Sequence, residues 1–217
     1  MNKVIFNRYN KSLIGTLPRV SFPGKVVVIL TAHQADQAVE MLLCQPVVGI
    51  DTETRPSFKK GVNHKVSLLQ VSTPDVCFLF RLNLTGLTPS IIRFLEDKTV
   101  LKVGLSLHDD LLMLHKIGIF TPGLFVDLQD MVKHLGIEDM SLQKIYANLF
   151  GQRISKTQQL SNWEADILND KQKQYAATDA WTCLNIYNEI NRLKSSGNYS
   201  LMKVEENTNP QPTIHDE

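Results

Sequence analysis

Short apolar runs are concentrated in the first half of the chain, and they predict β-strands. Each run ends near a Gly, Pro, Asp or Thr residue, as strands usually do. The predicted strands lie at residues 25–30, 47–53, 66–73, 76–82 and 100–105. A further apolar stretch, GLFVDL at 123–128, is too short to assign from its pattern.

Apolar residues spaced three or four positions apart predict helices between and after these strands. Thr31 is a natural N-cap for the first of them, and Pro89 suits the first turn of the second. The predicted helices lie at residues 31–45, 88–97, 106–118, in a run over 127–149, and at 170–194. Strands that cluster early and alternate with helices in the middle predict one α/β domain. We expect a mixed β-sheet of about five or six strands flanked by α-helices.

The two ends of the chain lack these patterns. Residues 1–24 contain Pro18, Pro23 and Gly24 and show no sustained periodicity, so we predict an irregular N-terminal lead-in. Residues 196–217 are polar and become acidic, which predicts a disordered acidic tail. The ordered domain is therefore expected at residues 25–195.

Composition adds a few limits to this picture. With 43% hydrophobic and 21% charged residues, the 217-residue chain suits one globular domain. It contains no signal-peptide pattern and no apolar run long enough to span a bilayer, so a cytoplasmic location is expected. The three cysteines are scattered without metal-type spacing, as expected for reduced thiols. Outside residues 203–217 the chain has 22 basic and 18 acidic side chains, a modestly basic surface.

Two acids interrupt the predicted strand VVGIDTE at 47–53. Side chains alternate between the faces of a strand, so Asp51 and Glu53 share one face. They lie at the C-terminal end of the strand, where open α/β sheets usually bind ligands. Neighbouring buried carboxylates repel each other, and a divalent cation removes that repulsion. By itself Asp-x-Glu is a weak signal, because most isolated matches are solvated strand ends or salt-bridge partners.

A second pair of acids, Asp109 and Asp110, begins the helix predicted at 106–118. Ser106 is a natural N-cap, and Asp109 stands three residues later, where the acid of a capping box belongs. Asp110 instead lies within the apolar stripe that includes Leu107 and Leu114. We therefore predict that Asp110 is functional and that Asp109 is structural.

The third acidic position is Asp179, in the sequence YAATDAW at 175–181. In a helix, Tyr175 and Asp179 lie one turn apart on the same face. Asp179 thus occupies a position that periodicity assigns to an apolar residue. For Tyr175 alone, a half-buried ring with a solvated hydroxyl is an adequate explanation.

Three inward-facing acidic sites in one small domain predict a metal centre. Carboxylate oxygens without His or Cys favour Mg²⁺ or Mn²⁺ over Zn²⁺. Two such ions close together suit an in-line displacement at a phosphodiester.

The order of these residues resembles the motifs of the DEDDy-type 3′–5′ exonucleases. This family has the ribonuclease H-like fold and includes ribonuclease D and the exonuclease domain of the Werner syndrome protein. The motif residues are Asp51-x-Glu53, Asp110 after the KVG strand, and Tyr175-x-x-x-Asp179. VSLLQVST at 66–73 is similar to the second strand of these domains. Residues 141–181 closely resemble their C-terminal half, in particular that of the Werner-type branch. The resemblance covers roughly residues 25–193.

The resemblance implies a two-metal-ion 3′–5′ exonuclease that releases 5′-mononucleotides from DNA or RNA. Asp51 would bridge the two ions. Glu53 and Asp179 would complete the site of the ion that generates the nucleophile, and Asp110 would hold the second ion. Tyr175 would orient the attacking water, which suits a phenol of ordinary pKa near 10 better than the role of a base.

Residues around these motifs are candidates for binding the nucleic acid. The segments RPSFKKGVNHK (55–65) and GQRISKTQQ (151–159) are basic and contain no acid. Contacts to phosphates are predicted, although a solvated basic loop explains any single residue equally well. Phe58 could stack on a base or anchor its loop by packing. The candidates are Thr52, Arg55, Lys59, Lys60, Lys65, Leu107, His108, Arg153 and Lys156, of which Leu107 and His108 follow from the resemblance alone.

Two other functions fit the same fold. A catalytically silent nucleic-acid-binding module is disfavoured because every motif residue is present. A phosphoesterase acting on small phosphates is disfavoured only weakly, by the basic loops. Neither an obligate protein partner nor a membrane is implied, and the residues do not distinguish DNA from RNA.

Overall fold

The computed structural model describes residues 2–204, which form eight strands and eight helices. In chain order the elements are β1 (Lys3–Phe6), α1 (Lys11–Ile14), β2 (Lys25–Ile29), α2 (Ala32–Leu43), β3 (Val47–Thr54), β4 (Val66–Ser72), β5 (Val76–Phe80), α3 (Leu82–Thr85), α4 (Pro89–Glu96), β6 (Leu101–Gly104), α5 (Leu107–His115), β7 (Phe125–Asp127), α6 (Leu128–Lys133), α7 (Leu142–Phe150), α8 (Asp170–Ser196) and β8 (Tyr199–Met202). None of the helices within residues 2–204 is long and apolar enough to cross a bilayer.

Six of the strands form one mixed sheet in the order β2-β5-β4-β3-β6-β7. Strand β4 runs antiparallel to both β3 and β5, and the other neighbouring pairs are parallel. This confirms the predicted mixed sheet. The five predicted strands are all present, and the apolar stretch at 123–128 supplies the sixth, β7.

The two faces of the sheet are covered by different helices. Val48 and Ile50 belong to a core that includes buried residues of α2 and α4. The alternate residues of β3 face α8, which lies very close to the strand at Gly49. A Cβ atom on Gly49 would lie only 1.9 Å from the carbonyl oxygen of Ala180. Glycine is therefore required there, and this close approach brings α8 to the end of β3 that carries the acids.

The ends of the described chain differ from the prediction. Residues 1–24 were expected to be irregular, but β1 pairs in parallel with β8 in a separate two-stranded sheet. Ile5 is fully buried, and the side-chain amide of Asn148 on α7 holds the main chain of Phe6 at both its N–H and its C=O. The prediction of a disordered tail from residue 196 is wrong for residues 196–204, which complete α8 and form β8. The rest of the predicted tail lies outside the described residues.

Candidate active site

Strand β3 ends at two acids whose surroundings are set by the sheet. Asp51 lies opposite Gln70 of β4, and Glu53 lies opposite Leu68. The register with β4 shifts between Glu53 and Thr54, so regular pairing ends at the second acid. Such irregularities often occur beside functional sites, where they change the direction of a side chain.

Helix α8 brings the other two motif residues to this strand end. It begins at a capping box in which Asn169 and Gln172 bond to each other's main chain. Two turns later it presents Tyr175 and Asp179, both buried, toward the acids of β3. Carboxylate oxygens of Asp51, Glu53 and Asp179 all lie within 4.8 Å of one another. We call this group the carboxylate cluster.

The carboxylate cluster holds more negative charge than its surroundings can stabilise. Burial, together with repulsion from Asp51 and Asp179, raises the pKa of Glu53 to about 10. Burial also raises the pKa of Asp179 to about 7, although hydrogen bonding to Tyr175 and the charge of Lys156 act in the opposite direction. The pKa of Asp51 is likewise raised well above its ordinary value by burial and by the neighbouring acids.

A hard divalent cation fits the carboxylate cluster. The Oδ1 atom of Asp179 is buried and has no hydrogen-bond partner among residues 2–204. Three converging carboxylates without a nitrogen or sulfur donor match the ligand preference of Mg²⁺ and Mn²⁺. A cation there would supply the missing partner, and it would offset both the burial that raises all three pKa values and the repulsion that adds to the shift at Asp51 and Glu53.

Asp110 approaches the same strand end from α5. The Thr52 hydroxyl donates a hydrogen bond to its carboxylate, and burial raises the pKa of Asp110 to about 6. Its charge contributes to the raised pKa values of Asp51 and Glu53, although it is not among the three acids of the carboxylate cluster. Asp109 is exposed to solvent. Helix α5 is therefore oriented as its apolar stripe predicts, with Asp110 toward β3 and Asp109 toward solvent.

The predicted capping box at the start of α5 is wrong. Ser106 does stand at the N-cap, but its backbone is left-handed (φ 59°, ψ 36°), and its side chain makes no capping bond. The carboxylate of Asp127, at the end of β7, instead accepts hydrogen bonds from the Ser106 and Leu107 amides at 3.1 and 2.8 Å. Asp127 also caps α6, so one side chain fixes two helices and the orientation of Asp110.

Tyr175 has 8% of its surface exposed, so its ring is more deeply buried than a solvated tyrosine would be. It packs against the buried Trp163, with ring centroids 6.0 Å apart. Burial and the neighbouring Asp179 and Glu53 carboxylates raise the pKa of the Tyr175 hydroxyl. The hydroxyl therefore stays protonated at neutral pH and is available as a hydrogen-bonding group, not as a base.

A cavity of about 280 Å³ opens onto the carboxylate cluster and Tyr175. Its lining also contains Ser141, the N-cap of α7, and the first residues of that helix. These residues were not predicted from the sequence as part of the site, although Ser141 before an amphipathic helix is an ordinary N-cap signal. The polar residues that line the cavity besides the motif residues are Thr52, Ser141, Gln143, Ser155, Lys156 and Gln159.

The predicted substrate-binding residues fall into two groups. Lys156 lines the cavity, Thr52 both lines it and binds Asp110, and the side chains of Lys59, Lys60, Lys65 and His108 are exposed. The others are already engaged within the protein.

Three of the residues predicted to bind substrate already have partners within the protein or are buried in its core. Arg55 donates to Glu164 at 3.1 Å, and Arg153 donates to the carbonyl oxygen of Leu17 at 3.0 Å. Leu107 is 5% exposed and belongs to the core beside α5, which disfavours its predicted contact with a terminal base.

Comparisons with known proteins agree with this geometry. A family model described as 3′-5′ exonuclease matches residues 26–193. The mouse bifunctional 3′-5′ exonuclease/ATP-dependent helicase WRN is 30% identical over 202 residues, which cover 88% of this chain and 14% of the mouse protein. An Arabidopsis thaliana protein named 3′-5′ exonuclease is 29% identical over 193 residues, which cover 81% of this chain and 67% of that protein.

A solved structure shows the same fold. The EXO domain of Nibbler from Aedes aegypti matches with a TM-score of 0.74 at 21% identity, covering 83% of this chain and 95% of that one. This likeness confirms the predicted ribonuclease H-like fold class.

Proposed function

This chain belongs to the 3′–5′ exonuclease family, and from that premise we propose that it removes single nucleotides from the 3′ end of DNA or RNA in a metal-dependent reaction. The observation that carries this proposal is the carboxylate cluster, in which three acids converge and one buried oxygen has no partner within residues 2–204. A fold without a ligand at this point gains nothing from such an arrangement, since unpaired buried charge is destabilising.

We expect two ions, Mg²⁺ or Mn²⁺. Asp51, Glu53 and Asp179 would hold one of them. Asp110 would hold the second, with Asp51 shared between the two. Bound ions of this kind favour the ionised form of a water molecule and stabilise negative charge on a phosphodiester.

The protein's own groups would orient the reaction. The protonated hydroxyl of Tyr175 would hold the attacking water in line with the terminal phosphorus by hydrogen bonding. Lys156, which lines the same cavity and whose charge acts on Asp179, would bind the phosphate that is being released. Oxygen from water joins the phosphorus, the bond to the 3′ oxygen breaks, and that oxygen takes up a proton. The products are a nucleoside 5′-monophosphate and a chain shorter by one nucleotide with a free 3′-hydroxyl.

The backbone of the remaining strand would lie along exposed cations outside the cavity. Lys59, Lys60 and Lys65 follow the metal-binding strand directly and have no acid among them. Phosphate contacts from these residues would make binding dependent on salt but not on base sequence.

The direct test is a nuclease assay with oligonucleotides labelled at the 5′ end. DNA and RNA substrates are incubated with the protein in Mg²⁺, in Mn²⁺ and in EDTA. We expect a ladder that shortens from the 3′ end with a metal and no reaction in EDTA. Folded protein that produces no ladder on any substrate with either metal would refute the proposal.

A further inference from the structure

Phe58 is exposed to an extent that no other phenylalanine of the protein matches. The chain has nine phenylalanines, all within the described residues, and the other eight are buried or half-buried. Phe58 has 84% of its surface exposed. The sequence left open whether this ring anchors its loop by packing, and its exposure excludes that role.

The surroundings of Phe58 are cationic. Its loop forms one side of a cavity of about 460 Å³, and Met113 and Lys116 of the α5 end form the other. Lys59 and Lys116 line this cavity and are exposed, as is Lys60 beside them in the loop. Arg55 and His64 also line it, but both are bonded to Glu164. An aromatic ring beside positive charge is the combination by which proteins bind single-stranded nucleic acid, because phosphates meet the cations and a base stacks on the ring.

The loop is held in place at both of its ends. Glu164 accepts a hydrogen bond from Arg55 at 3.1 Å and contacts His64 Nδ1 at 3.0 Å. These two bonds tie the start and the end of the loop to the segment before α8. The ring of Phe58 is therefore presented from an anchored loop.

Phe58 also lies close to the reaction site along the chain. Phe58 follows Glu53 by five positions, which limits the distance between their Cα atoms to about 17 Å. At about 3.4 Å per stacked nucleotide, this distance corresponds to no more than about five nucleotides.

We infer that Phe58 is a stacking platform for an unpaired base of the strand being degraded, within about five nucleotides of its 3′ end. The inference rests on the proposed exonuclease function and names its substrate class, a single-stranded or unpaired 3′ segment. A base stacked on Phe58 is withdrawn from its duplex, so a fully paired end is a poorer substrate.

Scanning the substrate with an abasic site tests this stacking. A single-stranded 12-mer carries one abasic nucleotide at successive positions from the 3′ end. For the wild-type protein, one or two positions should lower kcat/KM by about 5- to 150-fold, the range expected for one base–aromatic stack. With Phe58→Ala, kcat/KM on the strand that has no abasic site should fall by the same factor, through a higher KM. Introducing the abasic site should then cause little further change.

Three substitutions provide the controls. Phe58→Trp should retain activity because it can stack, whereas Phe58→Leu should lose it despite being apolar. Met41→Ala removes an exposed apolar side chain on α2, far from the loop in sequence, and should leave the scan unchanged. Equal sensitivity at every position, or an identical scan for wild type and Phe58→Ala, would overturn the inference.

A binding measurement separates this inference from the proposed function. Fluorescence anisotropy is recorded in Mg²⁺ with the same strand carrying a non-hydrolysable 3′-terminal linkage. If binding of this strand weakens in Phe58→Ala but the wild type does not cleave the ordinary, hydrolysable strand, the exonuclease proposal alone is refuted. Cleavage by the wild type with unaltered binding and activity in Phe58→Ala would refute the stacking platform alone.

Discussion

Lys102 and the carboxylate cluster are both charged groups inside the same sheet, but the fold treats them in opposite ways. The Lys102 side chain is fully buried on β6, and its ammonium donates to the carbonyl oxygens of Asp97 at 2.7 Å and Val100 at 3.1 Å. It also lies 5.1 and 5.2 Å from the ring centroids of Phe94 and Phe125. Burial lowers the pKa of Lys102 to about 8, so it remains mostly charged at neutral pH.

The carboxylate cluster receives no comparable set of partners. Burial and mutual repulsion raise the pKa of Glu53 to about 10, so at neutral pH the acid is held protonated in the absence of a cation. One oxygen of Asp179 has no hydrogen-bond partner among the described residues. A buried charge that is surrounded by its own partners, as Lys102 is, belongs to the fold. Like charges buried together without such partners, as in the carboxylate cluster, form a candidate site for a cation.

The largest expected effect is a loss of kcat on substitution of Asp110, compared with substitution of its neighbour Asp109. Asp110→Asn should lower kcat on the order of 10³-fold, because it removes negative charge at the proposed second ion. Asp109→Asn, one residue away and exposed, is the matched control and should change kcat less than about twofold. Both are measured by initial rates on a labelled oligonucleotide at saturating metal. The reverse ranking would mean that Asp110 does not act at the reaction site.

A second effect concerns stability without metal, and its sign follows from the raised pKa values. Glu53, with a pKa of about 10, keeps its proton in the folded state at pH values where the unfolded chain has released it. The retained proton contributes to the free energy of unfolding. That contribution is fully present below the pKa of Glu53 in the unfolded chain, and it is lost as the pH rises through its pKa in the folded protein. In EDTA, the wild-type free energy of unfolding should therefore fall between pH 6 and 9. Glu53→Gln, which cannot ionise, should be more stable by about 3 kcal/mol at pH 8.

Urea unfolding curves at several pH values measure this effect. Added Mg²⁺ should stabilise the wild type more than Glu53→Gln, because binding to the folded state alone raises its stability. A wild-type protein whose stability in EDTA is independent of pH across this range would contradict the account of the carboxylate cluster.

Lys102→Met should have the opposite effect on stability. It leaves the carbonyl oxygen of Val100 without its ammonium donor and removes two ring contacts, which should cost about 2 kcal/mol. The rate per folded molecule should not change, since Lys102 is fully buried and the site makes no use of it. Thermal or urea unfolding together with an assay below the melting temperature checks both statements. A stabilised Lys102→Met variant would remove the contrast with the carboxylate cluster.

The smallest of these effects is expected at Tyr175. Tyr175→Phe removes the hydroxyl but keeps the ring against Trp163, so the fold should be preserved. If the hydroxyl orients water, kcat should fall about tenfold, while a base would give a larger loss. The pH–rate profile should keep its shape. A change in that profile would indicate that Tyr175 itself titrates during the reaction.

Much of the site follows from local periodicity. The alternation of side chains along β3 places Asp51 and Glu53 together, and the helical repeat places Tyr175 and Asp179 on one face of α8. The same repeat identifies Asp110, rather than Asp109, as the acid that faces inward. These relations depend only on the geometry of one element, so the sequence is sufficient to predict them.

Other features depend on segments that are distant along the chain. Strand β1 pairs with β8, joining Lys3 to Tyr199, and neither short strand has a pattern long enough to be recognised. Asp127 replaces the predicted capping acid of α5 because β6 and β7 are neighbours in the sheet. Such relations are decided by which surfaces meet, and local periodicity carries no information about them.

Five of the six strands of the main sheet, the acids that face inward and the family resemblance could therefore be read from the amino-acid sequence. Which side chains remain available to a substrate depends on how the chain packs. Packing buries Leu107, binds Arg55 to Glu164 and leaves Phe58 exposed. The physical reason is that exposure and pairing are properties of the whole packed chain, whereas the direction of a side chain within a strand or helix is set by the backbone next to it.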